Sequence, residues 1–229
     1  MKILITGGAG FLGQRLARKL LEQGRLALGG AAPEPITQID LLDVVQTDAI
    51  NDTRVRSVKG DVADPAVLES LIDTDTTAIF HLAAIVSGQA EADFDLGMRI
   101  NLDASRALLD TCRLRGHRPR VVFTSSVAVY GGALPDTVRD DTALNPQSSY
   151  GTQKAIAELL LADYTRRGFV DGRALRLPTI SVRPGRPNAA ASSFASGIIR
   201  EPLNGEPAVC PVGAGTRLWL LSPRRAVQA

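Results

Sequence analysis

Tyr150 and Lys154 are the two residues of this sequence whose types and spacing most clearly suggest chemistry. Residues four apart lie on one face of a helix, so the phenol and the ammonium are predicted to point the same way. Free tyrosine has a pKa of about 10, too high for a base at neutral pH, and a nearby ammonium favours the phenolate and lowers that pKa. Tyr150 is then able to take a proton from a substrate alcohol. The alternative is an exposed tyrosine beside a solvated lysine.

Serine hydroxyls follow the apolar run at residues 121–124, at Ser125 and Ser126. A hydroxyl at the end of that predicted strand can hold a substrate oxygen beside Tyr150. Successive strand residues point to opposite faces, so one of the two serines can serve, and the pattern leaves both open. The alternative for either serine is a hydroxyl that bonds only to nearby backbone.

Three glycines, Gly7, Gly10 and Gly13, lie between an apolar run and a helical pattern. Glycines here permit a sharp turn, a close approach of backbone to a pyrophosphate and tight packing of helix on strand. The helix N-terminus offers free N–H groups and its positive dipole end to the anion. Together with Tyr150, this turn predicts hydride transfer to a nicotinamide cofactor, whose positive ring also favours the phenolate. The alternative is an ordinary glycine-rich turn.

Acidic residues at strand ends indicate which nicotinamide cofactor is used. Asp43 is predicted near the end of the second strand, where a carboxylate can bond both ribose hydroxyls of the adenosine half. It would repel a 2′-phosphate, and no basic residue follows until Arg54, so NAD is favoured over NADP. Asp40 competes for this role because the frame of the strand is not fixed by the pattern. Asp61 either contacts the adenine amino group or belongs to a simple turn.

The elements that must position these residues alternate between short apolar runs and helical patterns. Strands are predicted at 2–6, 36–44, 54–58, 78–82, 121–124 and 173–182, and helices at 11–23, 65–72, 95–114 and 148–167. Strands that alternate with helices imply right-handed crossovers and a parallel sheet covered on both faces. The expected fold is a doubly wound, Rossmann-like α/β domain with its ligands beyond the carboxyl ends of the strands.

A change of pattern after residue 183 predicts two parts, an NAD-binding domain at 1–183 and a partial substrate-binding lobe at 184–229. The second part is expected to hold a loop at 184–188, a helix at 189–200, a pair of short strands within 207–220 and the start of a helix at 223–227.

Composition excludes several classes of function. The 229 residues carry 26 basic and 24 acidic side chains, a net charge of +2, which gives no reason to expect nucleic acid or a membrane surface as partner. Two cysteines and two histidines without metal-ligand spacing predict neither a metal site nor a disulfide framework, and they fit a reducing cytosol. The first apolar run is too short for a signal peptide, and no run approaches the ~18 residues of a membrane span. A soluble cytoplasmic protein is expected.

Taken together, these motifs resemble the extended short-chain dehydrogenases/reductases, the class also described as NAD-dependent epimerases/dehydratases. The stretches that carry the resemblance are Thr6 to Gly13, Gly60-Asp61-Val62, His81-Leu82-Ala83-Ala84, Asn101-Leu102-Asp103, Thr124 to Gly131 and Tyr150 to Lys154. The resemblance implies that Ser126, which precedes Val127-Ala128-Val129-Tyr130-Gly131, is the catalytic serine beside Tyr150 and Lys154. It also implies that Lys154 binds the nicotinamide ribose, that Asn101 supports the active site and that residues after 177–179 meet the carboxamide. The cofactor contacts expected on this basis are Gly7, Gly10, Phe11, Leu12, Gly13, Asp43, Asp61, Val62, Leu82, Ala83, Asn101, Tyr150 and Lys154.

Two further runs, at 83–88 and 176–192, resemble one group of that family. That group oxidises the C2 hydroxyl of a four-carbon sugar acid such as D-erythronate to a 2-keto acid with NAD. A sugar acid needs a cation for its carboxylate, preferably a planar bidentate one, and Arg183 is the candidate, with Ser87 as a polar contact and Ser126 and Tyr150 at the reacting oxygen. Arg183 is equally well read as an arginine that packs the substrate lobe or pairs with a surface acid.

Relatives in the resembled family usually continue beyond residue 229. NAD binding is therefore expected to survive better than turnover, and the apolar run at 218–221 is expected to promote association. A homodimer through the two long helices is implied by the resemblance. Two other functions stay open: a nucleotide-sugar epimerase or dehydratase, for which Arg183 and Arg186 are the obvious diphosphate-binding cations, and a non-catalytic nucleotide-binding domain.

Overall fold

The computed structural model describes residues 1–185 and 189–229. Its strands are β1 (Lys2–Thr6), β2 (Arg25–Leu26), β3 (Glu34–Pro35), β4 (Gln38–Asp43), β5 (Val55–Lys59), β6 (Thr76–His81), β7 (Arg120–Ser126), β8 (Asp171–Leu177), β9 (Thr179–Ile180) and β10 (Leu220–Leu221). Its α-helices are α1 (Phe11–Gln23), α2 (Pro65–Leu71), α3 (Ser87–Ala92), α4 (Phe94–Gly97), α5 (Ala104–Arg115), α6 (Ser149–Arg166), α7 (Phe194–Leu203) and α8 (Pro223–Ala226). A π-helical turn, Met98–Asp103, joins α4 to α5, and a 3-10 turn, Val127–Val129, follows β7.

A six-stranded parallel sheet in the order β5-β4-β1-β6-β7-β8 forms the centre of the fold. The chain winds outward in both directions from β1, which pairs with β4 on one side and β6 on the other. This confirms the predicted doubly wound α/β fold. The order reverses between β1 and β6, and ligands of such sheets bind beyond the carboxyl ends of the strands at that point.

The core lies on both faces of the sheet, because alternate residues of β1 point to opposite sides. Ile3 and Ile5 pack with Ala17 and Leu20 of α1 on one face. Leu4 belongs to the cluster on the other face, which includes residues of α2, α5 and α6. Helices therefore cover both faces, as expected for strands that are buried on both sides.

Two of the predicted elements are divided in the structure. The predicted strand at 173–182 ends at Leu177, since Pro178 has no N–H to continue the ladder, and β9 pairs with β10 in a separate two-stranded sheet. The predicted helix at 95–114 is wrong as one regular α-helix, because the π-helical turn at Met98–Asp103 interrupts it. A π-helical turn leaves no hydrophobic periodicity by which the sequence could reveal it.

The region after residue 183 follows its predicted pattern only in part. The predicted helix at 189–200 is present as α7, displaced to Phe194–Leu203. The predicted pair of short strands within 207–220 is wrong, since Leu220 is the one residue of that range in a strand. Part of the predicted loop at 184–188 lies outside the described residues. The division at residue 183 stays a prediction.

Within 1–185 and 189–229, no helix has the length and apolar character required to cross a bilayer. Nor do His, Cys, Asp and Glu residues cluster there in a way that would hold a metal ion. Both cysteines are free thiols, Cys112 in the core and Cys210 at the surface. The apolar run that begins at Leu218 is exposed, with Trp219 54% accessible.

Candidate active site

A cleft of about 1130 Å³ opens across the carboxyl ends of the central strands. It is bordered by every residue that the sequence analysis assigned to the cofactor or the substrate, with the exception of Asn101. Those residues are Gly7, Gly10, Phe11, Leu12, Gly13, Asp43, Asp61, Val62, Leu82, Ala83, Ser87, Ser126, Tyr150, Lys154 and Arg183. Residues that are far apart in the chain thus meet in one place.

The glycine turn between β1 and α1 is too closely packed to accept side chains. Gly7 has a left-handed φ of +70°, and a Cβ on it would lie 2.9 Å from the amide nitrogen of Ala83. A Cβ on Gly13 would lie 2.3 Å from the carbonyl oxygen of Gly7. Gly10 forms the N-cap of α1 without any side-chain cap, so the first amides of the helix are left to other acceptors. The turn therefore places a helix N-terminus at the cleft, the arrangement that suits a phosphate group.

The alternatives Asp40 and Asp43 are separated by the frame of β4. Asp43 ends the strand at the cleft, where its carboxylate accepts from the amide of Ala9 at 3.1 Å. Asp40 is fully buried and forms a two-point ion pair with Arg56 at 2.8 and 2.9 Å. Asp40 is thus committed to the structure, and Asp43 is the carboxylate available at the cleft.

Asp61 borders the same end of the cleft and is already partly engaged. One carboxylate oxygen accepts from Arg99 at 2.6 Å and the other from the amide of Ala63 at 2.8 Å. Burial raises the pKa of Asp61, but the pair with Arg99 and the hydrogen bond from the Ala63 amide together outweigh burial, so the pKa lies below its ordinary value. Arg99 was not singled out from the sequence, because it gains significance only through its contact with Asp61.

Tight packing brings Tyr150 to the end of β7. Ser148 is the N-cap of α6, and its hydroxyl accepts from the amide of Gly151 at 3.1 Å. A Cβ on Gly151 would lie 2.3 Å from the carbonyl oxygen of Ala128, so only glycine lets α6 approach the turn after Ser126 this closely. In this arrangement the phenol of Tyr150 lies beside the side chain of Ser126, whose hydrogen-bonding influence lowers the pKa of the phenol.

The two serine candidates differ in their surroundings. Ser126 Oγ accepts from the amide of Ala128 at 3.1 Å and lies beside Tyr150. Ser125 is buried, and its Oγ has no hydrogen-bond partner within the described parts of the chain. The structure therefore brings Ser126, and not Ser125, together with the phenol.

Lys154 is almost fully enclosed, with 1% of the residue accessible. Its Nζ donates to the carbonyl oxygen of Thr124 at 2.8 Å and lies 5.8 Å from the ring centroid of Tyr150. Burial lowers the pKa of Lys154 to about 7, and the charge of Glu158 acts in the opposite direction. The protonation state of Lys154 is therefore sensitive to pH near neutrality.

The sequence predicts that the ammonium of Lys154 lowers the pKa of Tyr150, but the groups of the protein itself raise it. Burial raises the pKa of Tyr150, and the hydrogen bond with Ser126 lowers it only in part. Sequence reasoning included the neighbouring ammonium but could not include the desolvation of the phenol, because the burial of Tyr150 depends on the fold.

Asn101 does not border the cleft. Its Oδ1 accepts from the amide of Ile85 at 2.8 Å, and its Nδ2 donates to Gln153 Oε1 at 2.7 Å. Asn101 thus supports Ile85, which does border the cleft, so the predicted supporting role fits its position better than direct cofactor contact. Gln153, which the sequence analysis missed, completes this buried chain of amides.

His81 is a second supporting residue, to which the sequence analysis assigned no role. Its ring nitrogens bond with Thr6 Oγ1 at 2.7 Å and with Ser105 Oγ at 3.0 Å. Burial, assisted by the charge of Lys154, lowers the pKa of His81 to about 3, so its ring stays neutral. Thr6 in turn accepts from the amide of Ala83, which fixes the backbone on the cofactor side of the cleft.

Arg183 borders the cleft on the side of the region after residue 180. It is half-buried, and no acidic residue forms an ion pair with it in the described ranges. Burial and then the charge of Arg200 lower its pKa, so a bound anion would relieve both. Ser87, which also borders the cleft, accepts from the amide of Ala191 at 3.1 Å. Arg186 lies outside the described residues.

Comparison with known proteins gives concordant results. The family model described as NAD dependent epimerase/dehydratase family matches residues 3–220. The chain is 73% identical over 229 residues to the D-erythronate dehydrogenase of Cupriavidus necator, and the match covers all of this chain and 70% of that protein. It is 54% identical to the D-erythronate dehydrogenase of Haemophilus influenzae over 228 residues, 99% of this chain and 70% of that protein. A crystal structure of a nucleoside-diphosphate-sugar epimerase from Agrobacterium tumefaciens is 50% identical with a TM-score of 0.89, over 100% of this chain and 67% of the other.

Proposed function

The chain belongs to the NAD dependent epimerase/dehydratase family, and from this premise we propose that it is a dehydrogenase that oxidises the C2 hydroxyl of D-erythronate to the 2-keto acid. The observation that carries the proposal is the 73% identity, over all 229 residues, to a protein named D-erythronate dehydrogenase. A second protein of the same name at 54% identity supports it. The dependence on NAD is that of the family, and the dehydrogenase class is that of these two relatives.

The residues of the cleft fit NAD. The glycine turn and the first amides of α1 suit a pyrophosphate, Asp43 suits the adenosine ribose, and Lys154 suits the nicotinamide ribose. When bound, NAD supplies the acceptor for a hydride. A carboxylate at the position of Asp43 disfavours a 2′-phosphate, which supports the preference for NAD over NADP.

Tyr150 is proposed as the general base. In the oxidation, the C2 hydrogen would leave with its bonding electron pair as a hydride to the bound cofactor, the hydroxyl proton would pass to the phenolate oxygen of Tyr150, and the C2–O bond would become a carbonyl. Ser126, which lies beside the same phenol, is proposed to hold the substrate oxygen in line with it. Lys154 is proposed to contribute, together with the positive ring of the bound cofactor, the positive charge that favours the phenolate over the neutral phenol.

Arg183 is proposed to hold the substrate carboxylate. The guanidinium of Arg183 is half-buried and has no acidic partner among the described residues. Its burial is therefore not offset by an ion pair within the protein, so an anionic ligand is favoured at that point. Ser87 is proposed as a polar contact for the substrate hydroxyls across the cleft. A small sugar acid needs one such cation, whereas a nucleotide sugar needs several for its diphosphate.

A nucleotide-sugar epimerase is the second candidate, favoured by the name of the Agrobacterium tumefaciens structure at 50% identity. The two functions differ in net chemistry. A dehydrogenase accumulates reduced cofactor, while an epimerase returns the hydride and accumulates none.

The test is to supply NAD with D-erythronate, with other four-carbon acids and with nucleotide sugars, and to record the absorbance of reduced cofactor together with the product by chromatography. Reduction with D-erythronate supports the proposal. Epimerisation of a nucleotide sugar without net reduction selects the second candidate. Measurable NAD affinity with no conversion of any of these compounds indicates a non-catalytic nucleotide-binding chain.

Assembly, location and domain division stay predictions. A homodimer is tested by the native mass in solution, and a boundary near residue 183 by limited proteolysis. A cytoplasmic location is tested by fractionation of the source cell.

A further inference from the structure

One guanidinium, that of Arg176 near the end of β8, contacts two segments that carry proposed catalytic groups. On one side, Arg176 Nε and Nη2 donate to the carboxylate of Glu158 on α6, at 3.1 and 2.8 Å. On the other side, Nη1 donates to the hydroxyl of Tyr130 and, at 3.0 Å, to the carbonyl oxygen of Asp140. The guanidinium also lies 5.0 Å from the centroid of the Tyr130 ring.

Each of these partners is close in the chain to a proposed catalytic residue. Glu158 lies one helical turn after Lys154 on α6, and Tyr130 lies four residues after Ser126. Glu158 is buried and Arg176 largely so, with 8% and 24% of their side chains accessible. A buried two-point ion pair of this kind fixes orientation more strictly than a surface pair.

We propose that Arg176 and Glu158 are positioning residues for the reaction. Arg176 fixes the segment after Ser126 against α6, and Glu158 holds its carboxylate where it stabilises the ammonium of Lys154. The inference rests on the proposed function for its meaning, but the charge of Lys154 can be measured without any substrate.

Glu158 lies four residues after Lys154 on α6, and therefore on the same face of the helix. The other groups that face Lys154 show why this carboxylate matters. On the side of β7, Lys154 contacts the carbonyl oxygen of Thr124 and the ring of Phe123, whose centroid lies 4.5 Å from Nζ. His81 on β6 is neutral because burial lowers its pKa. Burial raises the pKa of Tyr150 on α6, so its phenol also carries no charge near neutral pH. Glu158 is therefore the anion that opposes the effect of burial on the pKa of Lys154.

Arg176 limits that effect because it shares the same carboxylate. The pair with Glu158 raises the pKa of Arg176, so Arg176 stays charged throughout the working range. Without Arg176, the negative charge of Glu158 is no longer shared and stabilises the ammonium of Lys154 more strongly. Without the charge of Glu158, that stabilisation of Lys154 is lost. The two substitutions break the same ion pair but act on Lys154 with opposite sign.

The experiment is an NMR titration of the lysine side chains, which is simple in a chain with four lysines, assigned with Lys154→Met. Glu158→Gln is expected to lower the titration midpoint of Lys154 by about one pH unit, a tenfold change in proton affinity, and Arg176→Gln to raise it. Arg173→Gln serves as the control, since Arg173 pairs with Asp171 at the far end of β8. Thermal unfolding shows that each variant is folded.

Opposite shifts support the proposal, and shifts of the same sign, or an unchanged midpoint in Glu158→Gln, overturn it. Should Glu158→Gln fail to fold, the sign in Arg176→Gln decides alone: a rise supports the proposal, and a fall or no change overturns it. Because the titration uses no substrate, this result stands apart from success or failure of the dehydrogenase assay. In the active enzyme, Glu158→Gln is further expected to move the acid limb of kcat/KM to higher pH.

Discussion

Lys154 on α6 donates a 2.8 Å hydrogen bond to the carbonyl oxygen of Thr124, two residues before Ser126 on β7. This bond joins the helix that carries Tyr150 to the strand that carries the serine. Since the lysine is 1% accessible, its position is set by the protein and not by solvent. The relative placement of phenol, hydroxyl and ammonium is therefore built into the fold before any ligand binds.

Replacement of Tyr150 by Phe tests the proposed general base. The substitution removes one oxygen, so kcat for D-erythronate is expected to fall by about 10³-fold while NAD affinity changes little. Tyr164→Phe is the matched control on the same helix, because that phenol donates to Asp110 at 2.9 Å, away from the cleft. Turnover by reduced-cofactor absorbance and NAD affinity by calorimetry are the measurements. Substantial activity in Tyr150→Phe would contradict the assignment.

Asp43 and Asp40 give a paired test of cofactor choice. Asp43→Asn removes the charge at the cleft, so the preference for NAD over NADP is expected to fall about tenfold or more, as one lost charge interaction of 1.4 kcal/mol implies. Asp40→Asn breaks the buried pair with Arg56 and is expected to lower the free energy of unfolding without changing the preference. The ratio of kcat/KM for the two cofactors decides. A changed ratio in Asp40→Asn only would exclude Asp43 as the determinant.

Arg183→Gln tests the proposed carboxylate contact. A hydrogen bond to a charged group contributes about 1.5–3 kcal/mol, so KM for D-erythronate is expected to rise about 10- to 100-fold. Erythritol, the analogue without a carboxylate, provides the control: any slow oxidation of it is expected to be the same in both proteins. An equal loss with the acid and the polyol would mean that Arg183 acts through the shape of the cleft.

His81 predicts how stability depends on acid. Its pKa is lowered from 6.5 to about 3 in the folded protein, so between these values the unfolded chain binds a proton that the folded chain does not. The free energy of unfolding is therefore expected to fall as pH drops below 6.5, with a contribution of about 2 kcal/mol at pH 5. Denaturant unfolding from pH 7 to pH 4 measures the slope. His81→Gln is expected to be less stable at pH 7 but to show a shallower slope, and an unchanged slope would assign the effect to other groups.

Much of the site was predictable from sequence because local rules fix it. The glycine turn after β1, the N-terminal end of α1 and the shared helical face of Tyr150 and Lys154 each follow from spacing over a few residues. The choice between Asp40 and Asp43 needed the strand frame, which a single strand does not reveal when both its faces are buried.

The remaining features depend on contacts between distant segments. Asn101 lies within the π-helical turn and meets Gln153 of α6 across 52 positions of chain, and such a turn has no sequence period. The pKa values of Tyr150 and Lys154 are dominated by burial, which is a property of the assembled fold. Arg176 meets Glu158 across 18 positions of chain, in a pairing that no local pattern predicts.

Transfer of deuterium from D-erythronate labelled at C2 tests the central claim most directly. The account predicts that the reduced cofactor, analysed by mass spectrometry, carries the deuterium in stoichiometric amount while a 2-keto acid accumulates. Reduced cofactor without deuterium, formed while the label stays on the sugar acid or passes to solvent, would contradict hydride transfer from C2.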